Sequence, residues 1–428
     1  MKVKLMRWIF IAICLSGAAA SVTAQESFYE ETFSIYGYVV NFFSANVYTD
    51  DWGIIDSDYG NILYGRLKGD WNPGENLSFH AELAYNAAIG NQNPYVVYES
   101  YGLLPVDLAD ENVTFNEDLV QTISVDHLWG SVNLGRFDLQ FGKLPIAWGT
   151  GYFFNPTSKA AVTAYLDTVS EETPGTVGIV PSVSFLEGFL SVQGYAAFQD
   201  KSHSTLPVAV DGNWANLPFG LKLQGIIGAF DLSGSWIKEV ILTPDGWSRV
   251  HYLGTDFAGA VWNFGVYGEA ALKMWDESEV NIALKNERIS ELLDFCVGFD
   301  YFIPGLEIDT RMEYYHQGPG TREKGEYDAD FSKLLSGEQL VLAEDYLLLY
   351  LERSFLDYLS ITTVGLININ DGSLGFVPEL SGEPYGNFQV GLGAMLFFGP
   401  AGSEFDGEYT GSFDLTEPAV YMRCKLSF

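Results

Sequence analysis

Cysteine is scarce in this chain of 428 residues: there are three, at Cys14, Cys296 and Cys424. A small disulfide scaffold is therefore excluded. Histidine is nearly as rare, with five: His80, His127, His203, His251 and His316. No H-E-x-x-H, G-x-S-x-G or phosphate-loop pattern occurs, so the zinc-protease, serine-hydrolase and nucleotide-hydrolase signatures are missing. His203 and Ser204 are adjacent, but adjacency in sequence does not set a base on a nucleophile. His80 and Glu82 share a strand face, where a hydrogen bond is the simpler role. Gly391-Leu392-Gly393 lacks the helix that a dinucleotide site requires. The chain reads as non-enzymatic. Basic residues are few, 22 against 56 acidic, for a formal charge of −34. Phosphate binding needs the opposite balance, so nucleic acid is excluded as a partner. Beyond residue 24, no stretch reaches the roughly 18 apolar residues of a membrane helix.

What is present begins at the N-terminus. Lys2, Lys4 and Arg7 precede an apolar run from Trp8 to Leu15, and small residues continue to Ala24. That order predicts a secretory signal peptide over residues 1–24. Ile13 before Cys14 is too large for a lipoprotein signal. Aromatics make up 15% of the chain, with 30 Phe, 25 Tyr and 45 Gly, while only 18% is charged. Hydrophobicity stays near neutral because polar and apolar residues alternate rather than cluster. No linker or composition break divides residues 25–428, which read as one domain. At the far end Val420, Met422, Cys424, Leu426 and Phe428 are apolar, while Tyr421, Arg423, Lys425 and Ser427 between them are polar or amphipathic. A period of two gives a strand with one greasy face and one wet face. Cys296 falls on the wet face of its strand and Cys424 on the greasy face of the last, so no disulfide joins them.

The same alternation predicts about eighteen strands. They lie near 33–48, 59–71, 76–89, 118–133, 136–143, 176–186, 188–199, 218–229, 231–241, 249–262, 264–275, 292–303, 305–317, 344–354, 357–369, 372–380, 386–398 and 418–428. Short turns alternate with longer connections at about 90–117, 144–175, 200–217, 276–291, 318–343 and 399–417. Together these predict an all-β fold: a single transmembrane antiparallel up-and-down β-barrel of about 16–18 strands, best counted as 18. The short turns would face the periplasm and the long loops the exterior. Tyr346 to Leu351 is apolar on both faces, and its orientation stays open.

The C-terminal aromatic strand resembles the assembly signal of bacterial outer-membrane barrels, with Phe428 as its terminal residue. Trp148-Gly149-Thr150-Gly151-Tyr152-Phe153-Phe154-Asn155-Pro156-Thr157 follows a glycine-ending strand, Gly135 to Lys143. This W-G-x-G-x-x-x-N-P-T loop resembles one found in large outer-membrane porin-like and export-channel barrels. The resemblance implies a Gram-negative outer-membrane location, outer-membrane lipid and the barrel-assembly machinery as partners, and a pore for small solutes or chain-like substrates. It covers roughly 25 residues. Residues 144–175 are too long for a plain connector. They are expected to fold inward and narrow the pore, with Trp148, Tyr152, Phe153, Phe154 and Asn155 at the constriction, or else to fill a gap at the outer rim.

Strand parity places Arg66, Lys68, Glu82, Asp300, Glu307, Asp309, Arg311 and Glu313 on the lumen face. They form either structural ion-pair ladders or a transverse field. The surplus acid falls in loops, at Asp50, Asp51, Asp56 and Asp58, at Asp107, Asp110, Glu111, Glu117 and Asp118, and at Glu323, Glu326, Asp328 and Asp330. Such loops are kept solvated by like charge, or focus cations towards a pore, or bind Ca²⁺, although no EF-hand spacing occurs. No other cofactor is expected. The expected function is passive passage of small cationic or neutral solutes, with a non-conducting adhesin or structural barrel as the alternative. Oligomeric state is left open.

Overall fold

The computed structural model describes residues 33–50, 53–90, 113–116, 119–160, 172–199, 214–243, 246–276, 289–324, 327, 339–356, 358–406 and 418–428. Its strands are β1 (Phe33–Asp50), β2 (Gly53–Gly74), β3 (Leu77–Gly90), β4 (Val113–Asn116), β5 (Leu119–Leu134), β6 (Phe137–Leu144) and β7 (Thr176–Phe185). There follow β8 (Leu190–Ala197), β9 (Phe219–Ile227), β10 (Phe230–Thr243), β11 (Gly246–Val261), β12 (Phe264–Asp276) and β13 (Leu293–Ile303). The last are β14 (Ile308–Gln317), β15 (Asp345–Phe355), β16 (Leu359–Asn368), β17 (Leu374–Tyr385), β18 (Phe388–Phe398) and β19 (Ala419–Ser427). All but the four-residue β4 are wall strands, each antiparallel to its sequence neighbour. Tyr38 on β1 pairs with both Arg66 on β2 and Ser427 on β19, so the sheet closes on itself. The result is a closed antiparallel barrel of eighteen strands, and the sixteen-strand variant is set aside.

The alternation of the sequence becomes an inside-out burial pattern. On β3 Leu77, Phe79 and Leu83 are exposed on the outer face, while Glu82 between them is 1% exposed. Outward apolar side chains recur as Leu67, Leu221, Leu223, Leu253, Val297, Leu380, Leu392 and Val420, the surface a lipid phase solvates. Aromatics gather at the short-turn end: Trp71 stacks on Phe79 at 5.3 Å, and Trp262 is 91% exposed. There the backbone reverses tightly, and Leu186, Glu187, Trp262, Glu307 and Leu356 all adopt positive φ. Phe428 extends the closing seam: its N–H donates to Gly37 O and its carbonyl accepts from Gly37 N, each at 2.9 Å. Neither Cys296 nor Cys424 is joined in a disulfide.

Three local departures from the expected strands have physical causes. The segment 49–58 extends the β1–β2 hairpin, with Thr49 paired to Ile54, because backbone pairing between adjacent strands needs no buried face. β4, inside the expected loop 90–117, adds to β5 through Val113 opposite Thr122. Glu307 does not stand on the lumen face of a strand. The reversal after β13 takes up residues 304–307, leaving Glu307 exposed in the turn at φ 55°.

Candidate functional site

Inside the barrel, the segment after β6 runs along the wall and returns. The Trp148 indole donates to Gln193 Oε1 on β8 at 2.9 Å and packs edge-on to Tyr195 at 4.8 Å. The Thr150 hydroxyl donates to the carbonyls of Phe257 and Gly268, on β11 and β12, at 3.2 and 3.3 Å. The chain then reaches β14, where the N–H groups of Tyr152, Phe153 and Phe154 all donate to the Glu313 carboxylate, at 2.8, 3.3 and 2.7 Å. On the way back Thr157 donates to Glu269 Oε2 at 2.7 Å, and Lys159 Nζ meets Asp294 Oδ2 at 3.1 Å. Burial alone would lower the Lys159 pKa, but Asp294, Glu239 and Glu269 outweigh it and raise it, keeping the ammonium charged.

The motif glycines are required by this path. Gly149 has φ +112°, and a Cβ there would collide with Glu269 and Asn155. A Cβ on Gly151 would meet the Phe154 carbonyl and Cys296 Sγ. The loop is held by two apolar contacts as well as by hydrogen bonds. Leu144, Ile146, Trp148 and Ala160 pack on inward-facing Val180, Tyr195, Ala197 and Ile237. Phe154 stacks on Tyr315 at 4.3 Å and 9°, beside Cys296 and Tyr346.

The five sequence-expected loop residues therefore divide. Trp148 and Phe154 are buried at 8% and 1% and serve as anchors rather than as a pore-lining wall. Phe153 and Asn155 are half-buried. Tyr152 alone among them is exposed, at 44%, with the Arg311 guanidinium 4.0 Å from its ring centre and Tyr350 edge-on at 5.7 Å. A second inward segment escaped the sequence reading. Val341, Leu342, Ala343 and Phe405, from the loops after β14 and β18, cover Tyr346, Leu348 and Leu366. This settles the orientation of β15: Tyr346 and Leu348 point inward, apolar because loops lie on them.

The expected lumen charges also divide. Arg66 is 5% exposed and bonds both Glu82 and Asp126, while Lys68 bonds Glu172 on the descending end of the loop. Burial alone would raise the Glu172 pKa, but Lys68, Arg66 and Tyr38 lower it below the ordinary range. Asp126 was invisible to parity because a bulge in β5 sets Asp126 and His127 inward consecutively, between the pairs Glu82–His127 and Leu83–Val125. Glu313 is consumed by the loop backbone. Asp300 and Asp309 are exposed, and Asp300 stands opposite half-buried Arg311 in register. Of the acidic loop residues proposed for Ca²⁺, only Glu323 has a described side chain, and it is exposed.

Solved structures resemble the barrel as a whole. OmpF of Salmonella typhi, in complex with daunomycin, is 10% identical with a TM-score of 0.45, over 94% of this chain and 100% of that one. A triple mutant of the Rhodopseudomonas blastica porin is 10% identical with a TM-score of 0.44, over 92% and 100%. No family model and no curated protein matches the chain. The likeness is one of fold. The functional reading rests on the barrel's own residues.

Proposed function

We propose that this barrel is an outer-membrane channel for passive passage of small cationic or neutral solutes, narrowed by the loop of residues 144–175. The observation that carries the reading is the docked loop itself. It spends three backbone donors on one buried carboxylate while leaving Tyr152 and Arg311 on the open side. A barrel of this strand number encloses a water-filled lumen unless something fills it. The lipid-facing apolar band supports insertion in a membrane, and an exported barrel of this design belongs in the outer membrane of a Gram-negative cell. The weak aromatic contact at Tyr152 and the acid-rich chain bias passage towards cations and neutral solutes.

A second reading is favoured by the other inward cover, Val341 to Ala343 with Phe405. If both covers together close the lumen, the barrel is a structural or adhesive platform displaying its acidic loops. Single-channel conductance of the refolded protein in a planar bilayer under a salt gradient separates the two. Steady conductance with cation preference supports the channel. No conductance from a folded, heat-modifiable barrel overturns it in favour of the platform.

A further inference from the structure

Where β2, β3 and β5 meet, three groups with lone pairs converge on one point inside the wall. His127 Nε2 lies 3.1 Å from the carbonyl of Thr173, which can only accept, so Nε2 holds the proton and Nδ1 presents a lone pair. His80 Nδ1 lies 2.7 Å from Asp70 Oδ1, which fixes the same division and frees Nε2. Both free nitrogens face Glu82 Oε2, at 3.2 Å from His127 and 3.6 Å from His80. Glu82 is 1% exposed, and this oxygen has no hydrogen-bond partner among the described residues. Three acceptors facing one another with no donor between them are repulsive, and a buried orphan oxygen is costly.

We propose that His80, Glu82 and His127 form a site for a borderline transition-metal dication of the zinc class. Bonds of about 2.0–2.1 Å in a tetrahedral site put ligand atoms about 3.3 Å apart, close to the two separations found here. All three ligand atoms lie within 4.8 Å of one another. Each imidazole is backed through its other nitrogen, by a carboxylate for His80 and a main-chain carbonyl for His127, the arrangement that orients metal-bound histidines. Two nitrogens and one oxygen disfavour Ca²⁺ and Mg²⁺, which take oxygen shells. Local charge agrees. Asp70, Glu82, Asp126 and Glu172 outnumber Arg66 and Lys68, the two cations bonded among them, by two. Lys68 Nζ is 3.6 Å from Glu82 Oε2 but is bonded to Glu172, and Lys425 stands over the neighbouring Tyr38 ring at 4.6 Å. Because Thr173 belongs to the loop, a bound ion would tie the loop's descending end to β3 and β5.

The test uses the full refolded barrel, stripped with chelator and titrated with Co²⁺, whose visible absorption reports tetrahedral nitrogen–oxygen coordination, then displaced with Zn²⁺. One equivalent is expected, with binding abolished in the double variant H80Q/H127Q. Asp70→Asn, which removes only the backing of His80, is expected to weaken binding about 10- to 100-fold. Heat-modifiability checks that each variant is folded, and Asp70→Asn carries the test if the double variant is not. The proposal is overturned by no stoichiometric uptake in the parent barrel, or by uptake that the folded variants leave unchanged. A nitrogen NMR spectrum of the stripped barrel that keeps His127 doubly protonated to pH 8 would overturn it too, since a proton would then fill the place of the ion.

Discussion

Glu313→Gln is the sharpest perturbation the structure offers. In the parent chain Glu313 Oε2 accepts from Tyr152 and Phe153, and Oε1 accepts from Phe154. Glutamine keeps one carbonyl oxygen for the first pair and turns an NH₂ donor towards the Phe154 N–H. Hydrogen bonds to a charged acceptor contribute about 1.5–3 kcal/mol each and neutral ones about 0.5–1.5 kcal/mol. Weakening two and losing the third therefore costs the docked loop about 4 kcal/mol, roughly a thousand-fold in the docked-to-undocked ratio. Cys296 reports the event directly. Its Sγ lies 3.1 Å beneath the Phe154 carbonyl, and the residue is 2% exposed. In a Cys424→Ser background, maleimide should label Cys296 at least about 100-fold faster in the folded Glu313→Gln barrel, since labelling of a covered thiol follows the open population. Single-channel conductance should rise and become noisy in parallel. An unchanged labelling rate in a folded barrel would refute the anchoring role of Glu313 and with it the account of how the loop is held.

Two further outcomes follow from the same geometry. Arg311 is the cation beside exposed Tyr152, so Arg311→Glu should shift the reversal potential in a salt gradient towards cations, and an unmoved potential would place Arg311 off the conduction path. Glu404, in the loop after β18, is half-buried with its carboxyl oxygen Oε1 enclosed, and burial of the carboxyl, with Asp371 adding, pushes it up to about 7 against hydrogen bonds from Tyr346 and Asn368. A raised acid stabilises the loop fully below the ordinary value of about 4.5, and that contribution, about 3 kcal/mol, is lost as pH rises through about 7. Amide protection at Phe405, corrected for intrinsic exchange, should fall across that window and become flat in Glu404→Gln. Protection independent of pH in the parent chain would contradict this.

Sequence alternation was enough for the wall because a barrel strand carries its whole orientation in a period of two. Leu77, Phe79 and Leu83 against Glu82 leave no second solution, and the long loops supplied the parity. The interior was legible only where residues obey that period. Asp126 escaped because a one-residue bulge, which here turns Asp126 and His127 inward in succession, is silent in the pattern. Glu307 was misplaced because a reversal ends a strand without any break in alternation when the turn residue is itself charged. The second inward cover was missed although it left a trace. Tyr346 and Leu348, like Val180, Tyr195 and Ala197, are apolar at lumen positions, where water would favour polar side chains. Each group turned out to lie beneath an inward loop. Lapses of alternation on the wet face thus mark where chain packs inside a barrel, and the run Tyr346 to Leu351 was such a mark rather than an ambiguity.

The distribution of charge changes what can confer selectivity. A lumen rich in carboxylates invites the reading that every one of them attracts cations. Here Glu82 and Asp126 share the single guanidinium of Arg66, while Glu172 is paired with Lys68, Asp256 with Lys222 at 2.8 Å, and Glu379 with Arg423 at 2.9 Å. Glu313 and Glu269 face loop donors rather than water. A carboxylate already surrounded by fixed donors has little field left for a passing ion. Among the eight charges that parity assigned to the lumen, those left facing the open interior are Asp300, Asp309 and the half-buried Arg311. Among these eight, the charges placed to set a transverse field beside Tyr152 are Asp300 and Arg311, opposite one another across β13 and β14, rather than the ladders deeper in the wall.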